Sequence, residues 1–154
     1  MTDYARLQNG SDVRGVALPG VAGEDVTLTP EAAQTIARAF VRWLARKRGK
    51  APGELTIGVG RDSRLSGPDP TAAAARGILG ESAACGDCAM ASTPAMFMST
   101  VLPVFRWDGA VMITASHLPW NRNGLKFFTR DGGLESGDIK ELLALAESLS
   151  SEPL

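Results

Sequence analysis

This 154-residue chain is poor in the side chains that build metal and redox centres: it has one histidine, one tyrosine and two cysteines. Structural zinc normally takes four nitrogen or sulfur ligands, and Cys85, Cys88 and His117 make only three, which argues against a zinc-held fold. Cys85-Gly86-Asp87-Cys88 also lacks the setting of a thioredoxin-like pair, which opens a helix after a strand. Here the pair follows an alanine-rich helical segment and precedes a strand-like Cys88–Ala91, so it reads as two small residues at a helix-to-strand crossing. No apolar run approaches the ~18 residues of a membrane span. Met1 to Gly10 contain no apolar signal core, so neither membrane insertion nor secretion is expected. The expected compartment is the cytoplasm, or an organelle stroma after removal of a transit peptide. Sixteen basic and seventeen acidic residues leave a formal charge of −1. No overall field draws in nucleic acid or an anionic membrane, so an anion site has to be local.

What is present is an ordinary globular composition, 44% hydrophobic and 21% charged. A chain of this length buries about 70% of its unfolded surface in one core. Gly, Val and turn residues up to Gly23 read as one or two short strands around a loop. Thr29-Pro30-Glu31 combines an N-cap, a first-turn proline and an acid, and Arg46-Lys47-Arg48 before Gly49 suits a helix end. Strand-like Leu55–Val59, Asp87–Ala91, Gly109–Ile113 and Leu125–Thr129 then alternate with helical segments. These are Pro70–Ala84, one opened by Thr93-Pro94, and one starting near Gly137 with Asp138 and Glu141 as a capping-box-like pair. Arg130-Asp131-Gly132-Gly133 reads as a hairpin turn. The alternation predicts a single α/β layered domain with a mostly parallel sheet over residues 1–150, and a frayed tail over 151–154.

The chemistry concentrates after the apolar run Gly109–Ile113, in Thr114-Ala115-Ser116-His117-Leu118-Pro119-Trp120-Asn121-Arg122-Asn123-Gly124-Leu125-Lys126. Buried strands of α/β domains deliver functional groups from their carboxyl ends. A serine there, followed by a cation beyond a turn, is a candidate carrier or binder of a phosphoryl group. Asn123-Gly124 reads as that turn, folding Lys126 back towards Ser116 as neutralising group or general acid–base. His117 beside Ser116 suggests a hydrolase, but neighbours on an extended segment point apart and no Gly-x-Ser-x-Gly elbow is present. Arg61, Asp62 and Arg64 read as a network pinning their own loop. Gly58-x-Gly60 lacks the third glycine of a dinucleotide site.

Four stretches, taken together, resemble a known family. Thr114-Ala115-Ser116-His117-x-Pro119 with Asn123-Gly124-x-Lys126 resembles the active-serine loop of the α-D-phosphohexomutases, the phosphoglucomutase, phosphomannomutase and phosphoglucosamine mutase group. Asp12-Val13-Arg14-Gly15 is similar to the family's opening motif, and Gly58–Gly67 to its second. Thr93-Pro94 stands where the family opens a helix. Leu118 departs from the family's usual Asn. The resemblance implies a first, N-terminal domain of a four-domain enzyme, a three-layer α/β/α sandwich around a mixed, mostly parallel sheet. It implies Ser116 as phosphoryl carrier and as one ligand of Mg²⁺, with Arg14 and Lys126 on the phosphate and His117 as an orienting or substrate-contacting group. The ion's aspartate-rich loop belongs to a second domain and has no counterpart in this sequence. Hexose phosphates and the remaining domains are then the expected partners, and the isolated domain is expected to be inactive. Two other readings stay open: a non-catalytic phosphate-binding or assembly module that keeps the serine loop, and a cysteine-pair redox domain.

Overall fold

The start signal at Thr29-Pro30-Glu31 produces the longest helix, α1, Pro30–Arg48. In the computed structural model, which describes residues 2–153, Thr29 Oγ1 accepts the Ala32 N–H at 3.2 Å. Gly49 ends the helix in left-handed conformation (φ 63°), a position glycine occupies without steric cost. Ile36, Phe40, Val41 and Leu44 form its fully buried face. Among the described residues the other α-helices are α2 (Pro68–Gly80), α3 (Thr93–Val101) and α4 (Ser136–Leu149).

Among the described residues seven strands form one sheet: β1 (Gln8–Asn9), β2 (Asp12–Val16), β3 (Thr56–Arg61), β4 (Ala84–Met90), β5 (Gly109–Ile113), β6 (Arg122–Thr129) and β7 (Gly132–Gly133). Their order is β1-β2-β6-β5-β3-β4, with β7 beside β6. The sheet is mixed. Strand β3 pairs in parallel with β4 and β5, and the pairings around β6 and β1 are antiparallel. Helix α1 packs between α2 and α4 on one face, where Ile57, Val111, Ile113, Leu125 and Phe127 meet it. Helix α3 covers part of the other face, with Met96 against Ala110, Met112 and Phe128. This is the expected α/β/α sandwich.

The topology decides where a site can form. β2, β3 and β5 all run the same way, because β2 and β5 are each antiparallel to β6. Their carboxyl ends therefore meet at one edge. The loops after β2, β3 and β5 gather there, the last carrying Ser116.

Several local expectations need correction. Helix α2 starts at Pro68 and stops at Gly80, short of Ala84, because Ser82 (φ 68°) turns the chain and Ala84 pairs with Thr56. The capping box of α4 uses Glu135 and Asp138: Asp138 Oδ2 accepts the Glu135 N–H at 3.0 Å. Glu141 instead accepts from the Trp43 indole and pairs with Lys47. The C-terminal residues touch α1. Arg38 donates to the carbonyls of Glu152 and Pro153 at 3.0 and 3.2 Å; Leu154, like Met1, lies outside the described residues. Gly58 and Gly60 serve packing: a Cβ would lie 2.4 Å from the Trp107 ring at Gly58 and 2.5 Å from Met96 Sδ at Gly60. Cys85 and Cys88 are half-buried free thiols on the edge strand β4. Burial, with Asp87 nearby, pushes the Cys85 thiol up to about 11, opposite to what a reactive thiol needs. Among the described residues no helix is long and apolar enough to cross a membrane.

Candidate functional site

Strand β5 is buried along its whole length, and Ser116 emerges three residues beyond it, exposed, at φ 53°. A left-handed serine costs roughly 1–2 kcal/mol and has to be held by its surroundings. Thr114 does part of this. Its hydroxyl donates to Asp62 Oδ2 at 2.6 Å and accepts the Ser116 N–H at 2.9 Å. Asp62 also accepts the Arg64 N–H. The left-handed turn overturns the expectation that Ser116 and His117 diverge: Ser116 Oγ lies 3.3 Å from His117 Nδ1. Among the described residues no carboxylate hydrogen-bonds that imidazole, so the contact has no triad behind it.

Arg14 and Lys126 are brought together by a residue that sequence reasoning passed over. Asp12 accepts from Lys126 Nζ at 2.9 Å through one oxygen and from Arg14 Nη2 at 2.8 Å through the other. Neither cation hydrogen-bonds Ser116 among the described residues. A row of backbone pairing links the two groups: the Thr114 N–H donates to Gly124 O, and Gly124 is the register partner of Arg14. The Arg14 side chain is 10% exposed, and its Nη1 is buried with no acceptor.

Asn123-Gly124 is not a turn. Both residues lie inside β6, opposite Gly15 and Arg14. Asn123 is buried, donating to Ser66 Oγ and accepting the Gly124 N–H. At Gly124 a Cβ would stand 2.2 Å from Val13 O and 2.7 Å from Arg14 Cδ, so glycine is what lets the arginine lie across the strand. Lys126 reaches the cluster by its place on β6, opposite Met112, and not by a reversal of the chain.

The serine loop is tied down from both sides. From the β3 side, Arg64 donates to the carbonyls of Ser116, Leu118, Pro119 and Arg122 at 2.6 to 3.2 Å. The Arg61–Asp62–Arg64 segment thus pins the neighbouring loop rather than only its own. From the β2 side, the N–H groups of Ala17 and Leu18 donate to Asn121 O. Glu24 accepts from Asn121 Nδ2 at 2.8 Å and pairs with Arg122 at 2.9 Å. These two partners hold the Glu24 carboxyl below the usual carboxylate range. The result is an exposed hydroxyl on a braced loop, with a doubly cationic, singly anionic cluster on the adjoining strands.

Comparison with known proteins fits this arrangement. The profile of the family "Phosphoglucomutase/phosphomannomutase, alpha/beta/alpha domain I" matches residues 5–152. The chain belongs to this family, the α-D-phosphohexomutases. It is 42% identical over 140 residues to the phosphoglucosamine mutase of Symbiobacterium thermophilum, covering 90% of this chain and 28% of that protein. It is 35% identical over 135 residues to a phosphomannomutase of Sinorhizobium fredii, covering 86% and 27%. A solved phosphoglucomutase/phosphomannomutase family protein from Burkholderia thailandensis superposes with a TM-score of 0.76 at 28% identity, covering 96% of this chain and 31% of that one. The chain therefore spans between a quarter and a third of the length of these relatives.

As a phosphohexomutase domain I, the chain places its four expected site residues in two pairs, Ser116 with His117 and Arg14 with Lys126. Asp12, Asp62, Arg64 and Thr114 are the polar residues that connect and hold them. Asp12 and Thr114 lie within quoted family motifs, yet a motif does not show which neighbour a side chain meets. Among the described residues no group of three His, Cys, Asp or Glu is placed to hold a metal ion.

Proposed function

We propose that this chain is the phosphoserine-carrying domain of a mutase that interconverts hexose 1-phosphate and hexose 6-phosphate, acting in the cytoplasm or an organelle stroma. The observation that carries this reading is the exposed Ser116 hydroxyl in a left-handed turn at the carboxyl end of a buried strand, braced by the loops on either side. Phosphorylated Ser116 gives its phosphoryl group to the free hydroxyl of a hexose monophosphate. The serine O–P bond breaks, a sugar O–P bond forms, and the proton lost by the sugar hydroxyl ends on the Ser116 oxygen. The bisphosphate reorients, its other O–P bond breaks as a bond to Ser116 Oγ forms, and the serine proton passes to the sugar oxygen released.

A phosphoserine carries about −1.5 to −2 charges and three acceptor oxygens. Arg14 and Lys126 hold two positive charges against the single carboxylate of Asp12, and Arg14 Nη1 is buried without an acceptor. That cluster suits a transferring phosphoryl group, with bidentate geometry from arginine and a compact charge from lysine. His117, 3.3 Å from Ser116 Oγ, orients the hydroxyl or meets the sugar. Mg²⁺ in such an enzyme would take one oxygen from Ser116 and its carboxylates from elsewhere in a longer protein. The 154-residue chain alone is inactive on this reading, and a coupled assay showing steady isomerisation by it would contradict that. In the longer enzyme, Lys126→Met lowers kcat by about 100-fold or more with the fold intact, as removal of a group that stabilises transition-state charge does. An unchanged kcat removes Lys126 from the machinery.

A further inference from the structure

Arg64 lies under the serine loop with 12% of its side chain exposed. Nη2 donates to Ser116 O at 2.6 Å and Leu118 O at 2.9 Å; Nη1 donates to Pro119 O at 2.8 Å and Arg122 O at 3.2 Å. Four carbonyl dipoles of one short segment converge on a single point, an arrangement that repels itself without a cation at its centre. Nε sits 3.3 Å from Asp62 Oδ2, close enough for attraction but without an aligned acceptor. The same Asp62 oxygen accepts from Thr114, whose hydroxyl holds the Ser116 N–H. One side chain therefore touches the backbone of Ser116 directly and touches its other support through a single carboxylate.

The peptide bonds of the loop are trans. In a planar trans peptide the N–H points opposite to the C=O. With Ser116 O drawn down onto Arg64, the His117 N–H points up and away from the guanidinium. With Pro119 O drawn down, the Trp120 N–H does the same. Neither N–H has a protein acceptor among the described residues, whereas the Leu118 N–H is bonded to Ala115 O at 2.9 Å. Ser116, His117 and Trp120 are exposed. The loop turns its carbonyls inward to one cation and leaves the His117 and Trp120 N–H donors free on the side away from it.

We propose that Arg64 is the positioning residue of this site: by gathering those four carbonyls it fixes Ser116 in its left-handed turn and presents the His117 N–H as a donor to an anion carried on Ser116. The conformational part stands without the phosphoryl-carrier reading; the anion part rests on it. Lysine does not replace arginine here, because a point ammonium with three N–H groups cannot span four carbonyls in a fork.

The experiment is backbone NMR of the 154-residue chain, unmodified and as Arg64→Met and Arg64→Lys, with kcat and KM measured for the same variants in the longer enzyme. In the unmodified chain, Ser116 shows left-handed carbon shifts, and the His117 and Trp120 amides exchange faster with solvent than the Leu118 amide. Both variants lose the Ser116 signature and lower kcat about 100-fold with KM little changed, since an ångström of misplacement costs about that much. A retained Ser116 signature in both variants overturns the proposal. So does a slowly exchanging His117 amide in the unmodified chain, a result that does not depend on either variant folding. Shifts that move as expected in an enzyme that never phosphorylates Ser116 sink the carrier reading and leave the conformational role in place.

Discussion

Replacing Thr114 by valine keeps the side-chain shape and removes the hydroxyl that joins Asp62 to Ser116. Two hydrogen bonds disappear. The first, from Thr114 Oγ1 to the Asp62 carboxylate at 2.6 Å, is of the charged kind that contributes about 1.5–3 kcal/mol. The second, from the Ser116 N–H at 2.9 Å, lies at an exposed residue where water substitutes, so its loss costs roughly 0.5–1 kcal/mol. Asp62 keeps the Arg64 N–H at 3.1 Å, which limits the damage to about 2–3 kcal/mol. For a domain of this length each kcal/mol lowers Tm by roughly 2–4 °C, so Thr114→Val melts about 4–12 °C lower. Thr114→Ser, which retains both bonds, loses much less. Thermal unfolding followed by circular dichroism reads both. A valine variant melting within about 1 °C of the parent refutes the idea that this hydroxyl holds the loop.

Two other outcomes follow from the same structure. Ser116→Gly is more stable than Ser116→Ala by about 1 kcal/mol, because both lack the hydroxyl and only alanine pays for a left-handed φ; equal stabilities in denaturant titration count against the turn. Burial pushes the Glu81 carboxyl up, but hydrogen bonds from Arg42 and Arg38 outweigh it and hold the group below its ordinary value. A carboxyl lowered on folding stabilises fully above its unfolded value of about 4.3 and loses that contribution as pH falls through the folded value. Glu81→Gln is therefore less stable at neutral pH by roughly 2–3 kcal/mol, below the ~3–5 of a fully buried broken pair because Arg42 is partly exposed. Its unfolding free energy also falls less steeply on acidification below about pH 5; parallel curves for the two proteins contradict this.

What the sequence made legible was local. Strand β5 was bounded residue for residue from its apolar run, and α1 from Thr29-Pro30 and Gly49, because period and capping are written in neighbouring positions. Ser116 at the end of β5 followed from the same logic. The misreadings have one cause, contact across distance in the chain. Asn123-Gly124 carries turn chemistry, yet the glycine is there because Val13 O and Arg14 approach the strand, more than a hundred residues away. Arg64 looks like part of its own loop until the fold brings it under carbonyls 52 to 58 residues later. Asp12 lies two residues before Arg14, but its second partner, Lys126, is separated from it by 114 positions. His117 lies beside Ser116 because of a positive φ that residue types do not reveal, where an extended segment points the two side chains apart.

Whether Ser116 carries phosphate is decided by mass spectrometry of protein purified without phosphatase. A fraction of chains is expected to be heavier by ~80 Da, one phosphoryl group, with fragmentation placing it on Ser116 and, in the longer enzyme, incubation with a hexose monophosphate removing it. Protein that carries no phosphoryl group, and acquires none at Ser116 when the longer enzyme is given a hexose bisphosphate, contradicts the carrier reading.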